Sequence, residues 1–305
     1  MTTAAKPRRR GGGWLKEEFG NPERRTAYLM VLPVFVIVLA VAFYPVADAI
    51  WLSLHGGTPT ITGSFVGVQN YVNMFQNSDF QSGLVNTIIF TVASVTIELV
   101  VGMAIALAIN RSFRGRGLVR AAVLIPWAFP TVISATMWRL MFQDQVGVIS
   151  YVAHALGLVS HPILSDQTLL MIACVIVDAW KTTPFMALLL LAGLQTIPGD
   201  VYEAARVDGA NAIQRFIRIT LPLLKPTMLV ALLFRILDAY RVFDLFWVLG
   251  GQQLESLSTF VYQSVRVSQL QFPEGNAAAV FIFISALLIA LFFIRVLGMQ
   301  TSTEE

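Results

Sequence analysis

The sequence predicts an all-α integral membrane protein with six transmembrane helices and both termini in the cytoplasm. Three observations predict it. Of 305 residues, 56% are hydrophobic and only 13% charged, with mean hydropathy +0.70, and so much apolar surface does not fit inside one soluble globule of this length. Six stretches reach the ~20 apolar residues that span hydrocarbon. Lysines and arginines alternate between rich and poor connecting segments, as the positive-inside rule requires.

Residues 1–27 form a basic arm in which Gly11-Gly12-Gly13 follows Arg8-Arg9-Arg10, with Lys6, Lys16, Arg24 and Arg25 alongside. It is expected in the cytoplasm as a mobile arm or an interfacial helix around Trp14–Phe19, meeting anionic lipid headgroups at roughly 1 kcal/mol per basic residue. Tyr28–Ile50 is the first span. Ala47-Asp48-Ala49 has the form of a signal-peptidase site, but the apolar run exceeds the ~7–15 residues of a signal h-region, so the span is expected to be retained. Trp51–Gly83 has no Lys or Arg and belongs outside. The spans Leu84–Ile109 and Leu118–Met141 flank a cytoplasmic segment with Arg111, Arg114, Arg116 and Arg120. Phe142–Gln167, again free of Lys and Arg, returns outside before the fourth span, Leu169–Leu194. The insert 199–226 carries Arg206, Arg215, Arg218 and Lys225 and is cytoplasmic. The fifth span is Leu221–Leu249, Gly250–Gly275 is outer with Arg266 its one base, and Ala277–Leu297 is the sixth. The chain thus divides into the arm, a transmembrane domain over 28–298 and a cytoplasmic tail, 299–305. The net charge of +3 follows from this topology and gives no sign of a nucleic-acid partner.

Charges inside a span cost about 2.5–3.5 kcal/mol each at the centre, so they face partners or water. The fourth span holds Asp178, Trp180, Lys181, Thr182 and Thr183 before Pro184. Pro184 cannot donate to the Trp180 carbonyl, which predicts a kink or opening where a transported solute could sit. The structural alternative is a kink beside a self-neutralising Asp178–Lys181 pair. In the fifth span Arg235, Asp238, Arg241 and Asp244 recur every third residue, so the stripe winds and one face cannot hold all four. Asp238 with Arg241 is an expected ion pair, Tyr240, Asp244 and Trp247 share another face, and Arg235 has Glu98 or Asp178 as partners across the bundle. A carboxylate beside an aromatic ring suits a sugar, accepting from hydroxyls while the ring covers the C–H face. Asp178 with Trp180, and Asp244 with Tyr240, have that character. Pro126 and Pro130 are expected to bend the third span around Trp127. His55, His154 and His161 fall in outer loops and read as solvated. Cys174 is the single cysteine, so the chain forms no internal disulfide. No metal-ligand spacing, nucleophile–base constellation or P-loop is present, which argues against an enzyme and against ATP held in the P-loop manner.

In the insert, Asp200 with Glu203 and Asn211 with Gln214 have capping-box spacing, predicting two short helices that meet at Asp208-Gly209. Glu203, Ala204, Ala205, Asp208, Gly209, Ala210, Phe216, Leu221, Pro222 and Pro226 resemble, at fixed spacing, the EAA loop of ATP-binding-cassette importer permeases. From Tyr28 to Leu297 the chain is similar to the carbohydrate-importer permeases of the maltose type. The segments Trp180–Met186 and Phe234–Asp244 are most like the mycobacterial trehalose-importing members. One departure is Gly250-Gly251-Gln252, where the family commonly has Gly-Gly-Pro.

The resemblance implies a type I importer permease fold in a bacterial inner membrane. It implies a second homologous permease, two ATPase subunits that bind ATP and Mg²⁺, and an extracytoplasmic sugar-binding lipoprotein. Glu203, Ala204, Ala205, Asp208, Gly209 and Ala210 would couple the ATPases to alternating access. Asp178, Trp180, Lys181, Asp238, Tyr240, Arg241 and Asp244 would line the path of a sugar such as trehalose. A proton-coupled carrier would explain the intramembrane carboxylates but has no use for the insert. A lipid-linked-sugar enzyme would need clustered catalytic carboxylates or a metal loop. An importer of glycerophosphodiester-like or phosphorylated solutes would use Lys181, Arg235 and Arg241, against which their aspartate neighbours argue.

The charge alternation generates a labelling prediction. In a Cys174→Ala background, Ser64→Cys and Ser160→Cys react with an impermeant thiol reagent on intact cells and Ala212→Cys does not; labelling at position 212 overturns the topology.

Overall fold

The computed structural model describes residues 22–268 and 271–301. Among them five helices are long and apolar enough to cross a membrane, and a bent pair makes a sixth crossing. Helix α1 (Pro22–Val38) continues through a π-helical turn, Leu39–Phe43, into α2 (Tyr44–Ser53). The chain up to Trp51 is one unit and Leu52 onward a second. Helix starts at Pro22, inside the stretch expected as an arm; the interfacial helix expected at Trp14–Phe19 lies outside the described residues.

The segment after α2 folds into an antiparallel hairpin, β1 (His55–Gly57) with β2 (Thr62–Phe65), followed by α3 (Gln69–Gln76). Asn70 Nδ2 donates to the carbonyls of Ser53 (2.8 Å) and His55 (2.9 Å), fixing the hairpin to α3. His55 is therefore buried, not solvated as expected, with its ring edge-on to Phe65 at 5.4 Å.

Helix α4 (Ser78–Asn110) begins at Asn77, whose side chain accepts from the Asp79 and Phe80 amides. That satisfies donors the helix cannot pair internally. Its 33 residues give about 50 Å of length. Helix α8 (Gln167–Leu194) is capped the same way by Asp166, which accepts from Leu169 N–H at 2.8 Å. These two form the most extensive helix pair. Close approach depends on small residues: a Cβ at Gly102 would lie 2.9 Å from Met186 Cγ. The expected opening at Pro184 does not occur, and α8 runs unbroken through it. Proline removes one hydrogen bond, and the helix continues on both sides of it, packed along α4.

The third crossing is broken outright. Helix α5 (Arg116–Ala128) and α6 (Thr131–Phe142) meet at 86°. Pro130 disfavours helical geometry at the residue before it, and Phe129 takes φ −75°, ψ 138°. A short α7 (Val148–Ala155) follows.

In the insert, α9 (Gly199–Val207) starts one residue before Asp200, so Asp200 stands in the first turn and the expected Asp200–Glu203 box is absent. The Asn211–Gln214 box is present, and Gly209 makes the bend with φ +80°, open to glycine without strain. The second helix is not a separate short one. Helix α10 (Ala212–Arg215) passes through a π-helical turn, Phe216–Thr220, into α11 (Leu221–Tyr240), so insert and fifth span share one 29-residue helix.

That span was expected to continue to Leu249. It stops at Tyr240, and after Arg241, Val242 and Phe243 the chain re-enters a short helix, α12 (Asp244–Gly250). Two side chains distant in sequence stabilise the interruption. Ser256 Oγ donates to the Val242 carbonyl at 2.9 Å, and Arg139 Nη1 donates to the Val248 carbonyl at 3.0 Å, serving the last turn of α12. Helix α13 (Leu257–Tyr262) and a π-helical turn, Gln263–Val267, lead to α14 (Phe272–Thr301). One apolar core joins α4, α6, α8, α11 and α12, and a smaller cluster around Phe80, Tyr240 and Phe260 joins α3, α13 and α14.

Gly193 on α8 faces α11, where a Cβ would come within 2.6 Å of Leu224 Cδ1 and 2.7 Å of Thr227 Cβ. Gly193→Val is expected to destabilise by about 1–3 kcal/mol. Gly199→Ala, with no atom within 4 Å of the added carbon, is expected to be neutral. Equal melting temperatures for the two purified variants would contradict this packing.

Candidate functional site

Six residues spaced by helical turns place an ionic cluster between three helices. Ser94 and Glu98 lie on one face of α4, Asp178 and Thr182 on one face of α8, and Arg235 and Asp238 one turn apart on α11. Arg235 is the centre. Its Nε donates to Glu98 Oε2 at 2.5 Å and its Nη2 to Glu98 Oε1 at 2.7 Å, a bidentate pair. Nη2 also reaches Asp178 Oδ2 at 3.1 Å, and Nη1 donates to Asp238. Thr182 Oγ1 lies 2.5 Å from Glu98 Oε1, and Ser94 Oγ is within reach of both Asp178 and Glu98. Glu98 is fully buried and Arg235 is 2% exposed, while the Asp238 side chain is 68% exposed. The cluster therefore runs from a sealed inner end to an accessible one.

The accessible end opens on a cavity of about 150 Å³ lined by Asp178, Lys181, Thr182, Asp238, Arg241 and Asp244, with Phe90 and Thr131 at its edge. Both broken spans reach it. Thr131 is the first residue of α6 and Asp244 the first of α12, so the interruptions deliver helix starts and unwound backbone to a polar cavity. Acids and bases alternate around the wall, a set that offers both donors and acceptors to a solute with hydroxyl groups.

Of the expected path residues, Asp178, Lys181, Asp238, Arg241 and Asp244 come together here, and two do not. Tyr240 is buried toward α14, its hydroxyl 2.7 Å from Ser285 Oγ. The helix break separates it from Asp244 and from Trp247, which packs instead on Phe243 and Tyr262. Trp180 points to another side of α8, edge-on to Trp138 at 5.4 Å, in an apolar cavity with Phe129, Ser134 and Met137. Expected pairs also change. Asp238 bonds Arg235, not Arg241, whose Nε donates to the Leu237 carbonyl at 3.2 Å; Arg241 has left the helix and its side chain turns back. Asp178 faces Arg235 instead of Lys181, because a buried guanidinium offers several short bonds and a neighbouring ammonium at the cavity wall keeps access to water. Ser94, Thr131 and Arg139 were not singled out in the sequence. For Ser94 a signal existed, its spacing of one turn from Glu98.

At the other end, Glu203 and Arg206 form an exposed pair at 3.5 Å. Asp208 ends α9, Gly209 turns, and the Ala210 carbonyl accepts from Arg215 Nη1 at 2.7 Å. Tyr202 Oη meets Thr220 Oγ1 at 3.0 Å, bracing α9 against the π-helical turn. Val207 is 88% and Ile213 70% exposed.

Known proteins share this chain's organisation. It is 41% identical over 281 residues to the trehalose/maltose transport system permease protein MalF of Thermococcus litoralis, covering 90% of this chain and 94% of that one. It is equally 41% identical to the trehalose transport system permease protein SugA of Mycobacterium tuberculosis, covering 90% of each. A crystal structure of a bacterial ABC transporter involved in the import of the acidic polysaccharide alginate superposes with TM-score 0.78 at 24% identity, over 93% of this chain and 98% of that one, so the fold is that of type I importer permeases. Residues 98–300 match the family described as the binding-protein-dependent transport system inner membrane component. With that match over two thirds of its length, an ion-clasped helix bundle and a polar cavity at two broken spans, the chain belongs to this family of multi-pass inner-membrane permeases.

Proposed function

We propose that this chain is one of two permeases of an ATP-driven sugar importer, and that its cavity forms part of the path of a disaccharide, trehalose. The observation that carries this reading is the wall of alternating acids and bases at the two broken spans, in a chain 41% identical to permeases named for trehalose. At about 150 Å³ the cavity falls below the ~300 Å³ of ordinary small-molecule clefts, so a second homologous permease supplies the facing wall. Arg235 is saturated by three carboxylates, and Lys181 and Arg241 share the cavity wall with Asp178, Asp238 and Asp244, a balance of charge that favours a neutral polyol over a phosphorylated solute.

An extracytoplasmic sugar-binding lipoprotein delivers the sugar. Two ATPase subunits, which bind ATP and Mg²⁺, drive the cycle through the insert. Glu203 projects from it as an exposed carboxylate, Ala204 and Ala205 allow close approach, and Asp208, Gly209 and Ala210 hold the bend. Exposed Val207 and Ile213 give the ATPase cleft apolar surface to cover. N- and C-termini lie in the cytoplasm with the insert.

Two predictions follow from the graded burial of the cluster and from the insert. Asp238→Asn leaves Arg235 with Glu98 and Asp178, so the complex assembles in normal yield. A lost charged hydrogen bond of about 1.5–3 kcal/mol then lowers sugar uptake by one to two orders of magnitude. Arg235→Met strands buried carboxylates at a cost of about 3–5 kcal/mol and lowers the yield itself. Normal uptake per assembled complex in Asp238→Asn would remove that carboxylate from the path. Glu203→Lys is expected to preserve the folded permease pair while releasing or uncoupling the ATPases, read as ATPase co-purification and uptake; normal values of both would exclude Glu203 from coupling.

A further inference from the structure

A second polar cavity, of about 530 Å³, opens at the end of the bundle where α4 and α8 begin and where α12 leads into α13. It is lined by Asp79, Ser82, Asn86, Gln167, Gln253 and Glu255, with Gln81, Gln252 and a single apolar side chain, Val85. We propose that this cavity is a separate sugar-binding subsite, a landing site on the extracytoplasmic side that a disaccharide occupies before it reaches the inner cavity. The proposal rests on the importer reading above and adds a site to it.

Three elements place the two cavities in line. On α4 the stripe Ser82, Asn86, Phe90, Ser94, Glu98 recurs at the spacing that keeps residues on one face. Its first two members line the outer cavity, Phe90 edges the inner one, and the last two belong to the ionic cluster. On α8 the order is Gln167, then the buried Leu170, Ala173 and Cys174, then Asp178. Along α12 and just past its end it is Asp244, then buried Leu245, Phe246 and Leu249, then Gln252 and Gln253. Each reads polar, apolar, polar. The apolar layer closes where Phe90 and Phe246, both fully buried, meet edge to face at 5.1 Å.

The lining selects the ligand. Amide side chains both donate and accept, carboxylates accept, and a hydroxyl does both, so a neutral polyol can satisfy every group. An anion would face Asp79 and Glu255, and an apolar solute would find only Val85. The described residues contain no group of three acid, His or Cys side chains able to hold a metal ion. Glu255 is already oriented: Thr259 Oγ1 donates to Oε2 at 2.9 Å, Gln263 Nε2 to Oε1 at 2.5 Å, and Asn86 Nδ2 to its carbonyl at 2.9 Å. Burial pushes its carboxyl above the usual range despite the bonds from Thr259 and Gln263, with Asp79 adding to the rise. Hydroxyl donors from a ligand relieve that burial. Gln252 takes φ +70°, a conformation that proline's fixed φ excludes, and it carries an amide to the cavity where the family pattern commonly has proline.

The test uses the assembled complex of both permeases and the ATPase subunits, with Ser82→Cys in the Cys174→Ala background and trehalose as probe. Alkylation of position 82 by an impermeant thiol reagent is timed without binding protein, and Val85→Cys is a second reporter should the first fail to assemble. Trehalose is expected to slow alkylation in a saturable manner, while the osmolyte glycine betaine does not. Asp79→Asn and Gln253→Ala are each expected to raise the half-protecting concentration about fivefold, the equivalent of about 1 kcal/mol for one hydrogen bond. Absence of protection in a preparation whose ATPase still responds to trehalose-loaded binding protein overturns the subsite and leaves the importer reading intact. Absence of both overturns the two together. Protection that requires binding protein, with the two variants changing only the binding-protein concentration needed, overturns the subsite by making this face a docking surface.

Discussion

One guanidinium, that of Arg235, determines how three membrane helices can meet. It is 2% exposed, within membrane-spanning helices where a charge is costly, and it contacts carboxylates on α4, α8 and its own helix. Each of these groups would be expensive to bury alone; together they are paired and hydrogen-bonded, the condition under which buried ions are tolerated. Van der Waals packing at small residues such as Gly102 and Gly193 brings the helices close, and the ion pair adds a directional constraint on register. The bidentate geometry at Glu98 supplies it, because sliding α11 by one residue along α4 would separate both bonds. The polar cavity inherits its position from this register, since Asp178 and Asp238 belong at once to the cluster and to the cavity wall.

The cavity also needs backbone that is not helical. In hydrocarbon a broken helix exposes carbonyls and amides at a cost of several kcal/mol each, so breaks persist only where protein or enclosed water satisfies them. Here the two breaks face each other and share their support. Helix α6, the second half of the third crossing, provides Arg139 to the end of α12, while Ser256 beyond α12 serves the Val242 carbonyl inside the break. A bend of 86° in one crossing and three non-helical residues in another are thus parts of one arrangement.

Much of this was legible in the sequence, because lipid makes hydropathy and charge placement strict. The crossings, the Asn211–Gln214 cap, the Gly209 bend and the two possible partners of Arg235 are all local or compositional signals, and Arg235 takes both partners. What escaped was decided by groups far apart in the chain. No glycine or proline marks the break at Arg241–Phe243, whose support comes from residues on α6 and before α13. Pro184, a strong local signal for an opened helix, leaves α8 continuous, packed along α4 on both sides of it. Tyr240 has the spacing to join Asp244 only if the helix continues; once it stops, Ser285 on α14 becomes its partner. The Asp178–Lys181 and Asp238–Arg241 pairs fail for a similar reason. Spacing makes neighbours, but a buried Arg235 binds carboxylates more tightly than partners at the cavity wall.

The helix that carries Arg235 also carries the second half of the insert. From Ala212 to Tyr240 the backbone is helical over 29 residues, about 43 Å, so no loop separates the insert from the crossing. Its ladder of helical bonds is locally widened at the π-helical turn, Phe216–Thr220, and loses one bond at Pro226. Tyr202 of α9 reaches Thr220 at that turn, which makes it the joint between the insert and the crossing. Beyond the joint the helix is committed: Gly193 brings α8 against it near Leu224 and Thr227, and Arg235 locks it to α4 and α8. Arg235 thus ties α11 to α4 and α8, and the element that follows, α12, lies between the Arg241–Phe243 break and the left-handed Gly251 and Gln252, with Arg139 holding its last turn. Since α12 bears both Asp244 of the inner cavity and Phe246 of the apolar layer, rotation of this one short helix changes the polar wall and the apolar seal in a single motion.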